Sequence, residues 1–202
     1  MDEVLLGRYL SLTEFCTCTQ TYRQYAELIN PFPENPQETI PALQALNQQI
    51  LDPIIEQFGR FPQGFSGGDA ARTLRESQFQ LTYGFCSPDL RKFLERKDPI
   101  TGLKNGRVAP HLDQHMAHEV KKTGKYYCDR LGAAADFRIL NTPSCQVVEW
   151  ILQQKLPFDS LYFYGSDRPI HISYGPQHKR DIWTFTPTGV PTRKGIEGWL
   201  NL

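Results

Sequence analysis

Two polar side chains interrupt apolar runs and are the first candidates for chemistry. Asp136 follows Gly132-Ala133-Ala134-Ala135 and precedes Phe137-Arg138-Ile139-Leu140, and His171 lies between Ile170 and Ile172. An ionised carboxylate in an apolar segment is costly unless it is paired, hydrogen-bonded or bound to a metal. The two residues are therefore expected to meet in one pocket on a β-sheet. A second group lies upstream: His111, His115 and His118 fall at spacings of four and three, so a helix would put them on one face. Such a face can hold a metal or can border a cleft with partly exposed rings. The position of Glu119 matches neither the H-E-x-x-H nor the H-x-x-E-H pattern. Cys16 and Cys18 form a C-x-C pair with no second pair at zinc-site spacing, and read as small buried hydrophobes.

The elements that must position these residues can be read in order. Ser11 or Thr13 can cap a first helix, and residues 30–37, rich in proline and asparagine, form a loop. The strongest helical stripe occupies residues 38–59, with apolar positions at Ile40, Leu43, Leu46, Ile50, Leu51, Ile54, Ile55 and Phe58. Thr39 is its expected cap, Pro53 should kink or divide it, and Gly59 should end it. Residues 60–65 read as a strand, 66–69 as a turn, 70–79 as a helix, 81–85 as a strand and 88–96 as a short helix. Residues 97–110 have the composition of a surface excursion. A helix capped by Asp113 would carry the histidines and end at Gly124. Residues 134–140 read as a central strand, and Asn141 or Thr142 as the cap of a helix burying Val147, Val148, Ile151 and Leu152. Strands follow at 161–164, 170–174 and 181–186, then a loop tail pinned by Trp199. Early helices and late strands predict one α+β domain over residues 1–202, with a mainly antiparallel central sheet and helices packed on one face.

The bulk properties exclude several functions. Lys plus Arg and Asp plus Glu are both 22, so the chain lacks the basic footprint of a nucleic-acid binder. Its apolar runs are too short to span a bilayer, and the acidic start Met1-Asp2-Glu3 has no signal-peptide character. A cytoplasmic location and reduced thiols are the expectation for five cysteines in such a chain. The aromatic residues Tyr162, Phe163, Tyr164, Tyr174 and Trp183 suit either sheet packing or a pocket that stacks a ring or sugar.

Across residues 10–176 the order of elements resembles the zinc D-Ala-D-Ala carboxypeptidases and related peptidoglycan L,D-peptidases, whose fold is shared with the Hedgehog signalling domain. Leu51-Asp52-Pro53 and Gly59 match the end of that family's helix. Gly132, Ala134 and Asp136 match its G-x-A-x-D string, and His171 in Ile-His-Ile-Ser-Tyr-Gly matches its last metal ligand. The resemblance implies a Hedgehog/DD-peptidase-like fold, a bound Zn2+ and hydrolysis of a peptide or other small amide. Phage lysins of this family also lack signal peptides and are released by lysis.

The departures alter the chemistry that the resemblance implies. The family's first metal histidine falls on Asp129, its preceding serine on Tyr127, its general-base glutamate on Arg168, and its final tryptophan on Pro169. The expected ligand set is then Asp129, Asp136 and His171, richer in oxygen than two imidazoles and a carboxylate, with Cys128 as a softer alternative. Asp167 or Glu119 would have to replace the missing base, and Arg168 would suit an anionic group. The family's substrate arginine is out of place, with Asp69 near its position and Arg72 the nearest candidate; Arg130 and Tyr174 join Arg72 as expected substrate contacts. The alternative is an inactive or repurposed fold that binds a small anionic or peptide ligand, with Asp136 and His171 bonded to Arg130 or Arg168. A third possibility is an unrelated interaction protein.

Overall fold

The structure, a computed structural model, describes residues 3–59, 78–106, 108–186, 188, 190–192 and 196. The strand, turn and helix expected over residues 60–77, together with Asp69, Arg72 and Trp199, lie outside the described residues. The architecture is α+β, built on a mixed six-stranded sheet. The strands are β1 (Phe79–Tyr83), β2 (Ala133–Ile139), β3 (Ser160–Phe163), β4 (Ile170–Tyr174), β5 (Asp181–Phe185) and β6 (Pro191–Thr192), in spatial order β1-β2-β4-β3-β5-β6. The β3–β5 pairing is parallel and the other four are antiparallel.

Helix α1 (Leu12–Thr17) begins at Ser11, whose hydroxyl accepts from the Glu14 amide while the Glu14 carboxylate accepts from the Ser11 amide. This reciprocal pair satisfies two otherwise orphaned donors. Helix α2 covers Gln20–Gln24. The long stripe is helical from Pro36 to Phe58, but as three segments: α3 (Pro36–Leu46), a π-helical stretch (Asn47–Leu51) and α4 (Asp52–Phe58). Pro53 has no amide hydrogen to give back to the preceding turn, and the wider turn just before it absorbs that loss. The start of the stripe differs from expectation. Asn35 is the cap and Pro36 the first helical residue, while Thr39 is inside the helix and buried.

Helix α5 (Pro88–Glu95) is capped by the Ser87 hydroxyl, and α6 (Ser144–Gln153) starts after Pro143. Helices α3 and α6 pack on β2 and its neighbours through Leu43, Leu46, Val147, Val148 and Ile151. Against them lie Ala135, Phe137, Leu161, Phe163, Ile170 and Ile172, all fully buried. A strand alternates its side chains between two faces. Those residues define the inner face, and Asp136, His171, Tyr162 and Trp183 belong to the outer one.

The histidine segment is not a helix. Residues 111–119 form consecutive turns with backbone bonds from Ala117 to Gln114 and from Glu119 to Met116. Ala117 takes a positive φ of 43°, which an α-helix cannot contain. Without a helix the three histidines diverge. No described helix is long and apolar enough to cross a membrane.

Candidate metal centre

The sheet register assembles the centre. Asp136 on β2 is directly opposite His171 on β4. His171 is opposite Tyr162 on β3, Tyr162 opposite Trp183 on β5, and on the other side Tyr83 of β1 opposite Asp136. One cross-strand row therefore reads Tyr83, Asp136, His171, Tyr162, Trp183. His115 enters above this row from the turn segment. Gly132 lets β2 start where it does: its φ is +125°, and a Cβ there would stand 2.2 Å from the Tyr174 carbonyl oxygen.

Three donor atoms converge. Asp136 Oδ1 is 2.8 Å from His171 Nδ1 and 3.3 Å from His115 Nε2, and the two ring nitrogens are 3.2 Å apart. His115 and His171 are buried, at 5% and 3% side-chain exposure, while Asp136 keeps 28%, so the cluster opens on the carboxylate side. His115 Nδ1 lies 2.7 Å from the Gly84 carbonyl oxygen. A carbonyl only accepts, so Nδ1 carries the hydrogen and the lone pair of a neutral ring sits on Nε2, facing Asp136.

The Gly84 peptide is itself held from both sides. Its amide donates to Cys18 Sγ at 3.1 Å, and a Cβ on Gly84 would be 2.3 Å from the Phe15 carbonyl oxygen. Burial raises the Cys18 thiol to about 12, so it remains a neutral acceptor in this role. Tyr83 and His115 pack as a T-shaped pair with ring centroids 4.5 Å apart, and Tyr162 stacks on His171 with centroids 4.5 Å apart and 20° between planes. Burial first, then nearby negative charge, raises the phenols of Tyr83 and Tyr164 above their ordinary range, so both stay protonated.

Electrostatics couple the three residues. Burial opposes charge on His115, but the Asp136 carboxylate outweighs it and lifts the ring to about 9. Burial likewise opposes charge on Asp136, and His115 followed by His171 more than compensates, holding the carboxyl well below its ordinary range. A lone pair on Nε2 facing a carboxylate at 3.3 Å is repulsive unless a positive group lies between them: the proton of an imidazolium, the Nδ1–H of His171, which is 2.8 Å from Asp136 Oδ1 and 3.2 Å from His115 Nε2, or a metal ion. The group formed by His115, Asp136 and His171 can hold a metal ion.

The ligand set expected from the sequence is changed at one member. Asp129 is exposed and outside the group, and His115 occupies the third position. Glu119 is fully buried but committed elsewhere: its carboxylate accepts from the Glu34 and Asn35 amides at 3.0 and 3.2 Å and from the Thr39 hydroxyl at 2.8 Å, which fixes the start of α3. Asp167 and Arg168 are exposed in the β3–β4 turn, and the Ser144 hydroxyl donates to the Arg168 carbonyl at 2.6 Å, tying that turn to the helix layer. Tyr174 is opposite Ala133 and alternates to the inner face, away from His171. Arg130 does reach the outer face. It bonds not to Asp136 or His171 but to the Ser160 hydroxyl at 2.8 Å and to the Leu112 carbonyl.

His118 and His111 also leave the centre. His118 Nε2 accepts from the Gly132 amide at 3.2 Å, and His111 is exposed. The place of His115 in the group was foreshadowed only by its membership in the histidine triplet; its separation from Asp136 gave no pattern to match. Two cavities are bordered by neighbours of the group, though by none of its three residues. One, of about 420 Å³, is bordered by Tyr83, Cys86 and Met116, and the other, of about 550 Å³, by Tyr162, Trp183 and Arg130. Ala109 and Asp113 border both. Compared with known proteins, the chain matches no protein-family model, no curated protein and no solved structure.

Proposed function

We propose that the protein is a zinc-dependent hydrolase of amide bonds, with His115, Asp136 and His171 as the metal ligands. The observation that carries this reading is the forced orientation of His115. With Nδ1 donating to Gly84, the lone pair of a neutral ring is on Nε2, 3.3 Å from Asp136 Oδ1 and 3.2 Å from His171 Nδ1. Ligands 2.0–2.1 Å from a tetrahedral zinc are separated by about 3.3 Å, close to the 2.8–3.3 Å spacings of these three atoms. Two imidazoles and a carboxylate suit zinc, and three protein ligands leave a position for water or substrate. The acceptor behind His115 is of the kind that fixes the tautomer of metal-binding histidines.

When bound, zinc would polarise a substrate carbonyl and make a bound water acidic enough to attack it near neutral pH. Asp113, the carboxylate on the walls of both cavities, is the candidate proton acceptor in place of the expected Asp167 or Glu119. Tyr83 and Tyr164, at the borders of the smaller and the larger cavity, keep their hydroxyl protons. Assignment to the Hedgehog/DD-peptidase-like fold is part of the same reading. It is supported by the succession of β2 with Gly132 and Asp136, helix α6, and a hairpin whose second strand holds His171. A small peptide is the substrate class in this reading.

Calorimetric titration with zinc tests the ligand set. One ion per chain is expected, with binding lost in His115→Ala and Asp136→Ala and retained in Asp129→Ala. Absence of binding, or equal loss in all three variants, overturns it. The hydrolase reading is tested by incubating the zinc-loaded protein with a peptide mixture and looking for new termini by mass spectrometry. Cleavage lost in His115→Ala supports it, and zinc binding without any cleavage favours the alternative of a ligand-binding module.

A further inference from the structure

We infer that the larger cavity is a binding site for a neutral saccharide, with one face of a pyranose ring stacked on the aromatic residues of β3 and β5. The inference stands apart from the metal reading, since none of the three donor residues borders this cavity. Strand alternation builds its floor. Tyr162 on β3 is opposite Trp183 on β5. Two residues further along, Tyr164 and Phe185 return to the same face, with ring centroids 4.4 Å apart. All four border the cavity of about 550 Å³, a size that suits a small ligand. Tyr164 is 40% exposed and the other three are half-buried, so the block offers open aromatic surface.

The tilt of the rings and the charges around them select among ligands. The Phe185 ring is tilted by 37° against Tyr164 and by 59° against Tyr162. These pairs form no parallel-walled slot to sandwich a flat base; they form a platform. Neighbouring strands are about 4.8 Å apart and alternate residues of a strand about 6.7 Å apart, so the block matches the face of one six-membered ring. The rim carries both signs: Arg130 and Lys179 bring donors, Asp113 and Asp181 acceptors. A purely apolar ring would take these groups from water without pairing them, and a charged ligand would meet two groups of its own sign. A hydroxyl both donates and accepts, so a ring bearing several hydroxyls can use both kinds. Arg130 already bonds to Ser160 and Leu112. Among the described residues the side chains of Lys179 and Asp181 have no hydrogen-bond or ion-pair partner, which leaves them to meet the ligand's hydroxyls.

The experiment titrates the full-length protein with cellotetraose, maltotetraose and tri-N-acetylchitotriose, and separately with adenosine monophosphate and N-acetylphenylalaninamide, following backbone amide shifts by NMR. Saturable shifts across residues 162–164 and 181–185 are expected with at least one saccharide, and weaker binding with the other two compounds. Trp183→Ala and Tyr164→Ala should each weaken saccharide binding by about tenfold, the loss typical of an aromatic anchor. Asp181→Ala should weaken it by about threefold or more. Tyr164→Ala, at an exposed position, keeps the test decisive should Trp183→Ala fail to fold. The inference is overturned if none of the saccharides binds at millimolar concentration, if either other compound binds more tightly than all of them, if the aromatic substitutions leave binding unchanged, or if binding requires zinc. Its failure leaves the metal reading standing, and failure of the zinc titration leaves this inference standing.

Discussion

At the scale of single residues, the behaviour of His115 separates a protonated cluster from a metallated one. In the metal-free protein its pKa is raised to about 9, chiefly by Asp136 acting against burial. A raised histidine contributes stability that is fully present below its unfolded value, about 6.5, and that is lost as pH rises through the folded value. Asp136 is lowered, so its contribution is present above about 4 and is lost as pH falls through its folded value. The metal-free cluster is therefore most stabilising at about pH 4 to 6.5. Zinc needs the neutral ring and displaces its proton, so zinc affinity should rise with pH, by up to about tenfold per unit below pH 9. Thermal melts with and without zinc at pH 6, 7 and 8 should show a widening gap, because stabilisation follows the ratio of ligand to Kd. A gap that stays constant or narrows would mean that the metal does not replace this proton.

At the scale of elements, Glu119 shows how a residue of catalytic type can belong wholly to the scaffold. Its carboxylate satisfies two backbone amides and a hydroxyl at the start of α3. Glu119→Ala should cost roughly 2 kcal/mol or more in chemical denaturation, because it leaves buried donors unpaired. Zinc affinity of the folded variant should stay within a few-fold of wild type, and a selective loss of zinc binding at unchanged stability would return Glu119 to the centre. Gly132→Ala should also destabilise the protein, since the positive φ and the Tyr174 carbonyl both exclude a side chain; a melt unchanged from wild type would contradict that. These two residues mark what the sequence disclosed. Strand periodicity placed Asp136 and His171 on one face because alternation is local, and the apolar stripe of residues 38–59 found the helix that packs beneath them. The contact between Glu119 and residues 34–39 is long-range and has no periodic signature. The same is true of His115: its partner Gly84 is distant in sequence, and a helical spacing misled because residues 111–119 fold as turns held by the carbonyls and amides around them.

At the scale of the molecule, the centre ties an irregular segment to a regular sheet. Asp136 and His171 are already joined by the β2–β4 ladder, whose five paired positions do not depend on a metal. His115 stands on a segment held by separate bonds and not by a ladder, among them the Cys86 amide to the His115 carbonyl at 2.9 Å, His115 Nδ1 to Gly84, the Gly132 amide to His118 and the three bonds that Glu119 accepts. A metal ion would add its strongest constraint to that segment and little to the ladder. Hydrogen exchange should therefore respond unevenly when zinc is stripped with a chelator. Amides of residues 115–119, with Cys86, should exchange at least tenfold faster, while those of Ala135, Phe137, Ile170 and Ile172 should keep their protection. Local opening of this kind proceeds without global unfolding, since irregular segments outside a ladder open at lower free energy than core strands. A uniform loss of protection across both regions would show that the metal holds the whole fold. No change in either would show that the segment's own hydrogen bonds are enough to hold His115 and that a metal adds no constraint there.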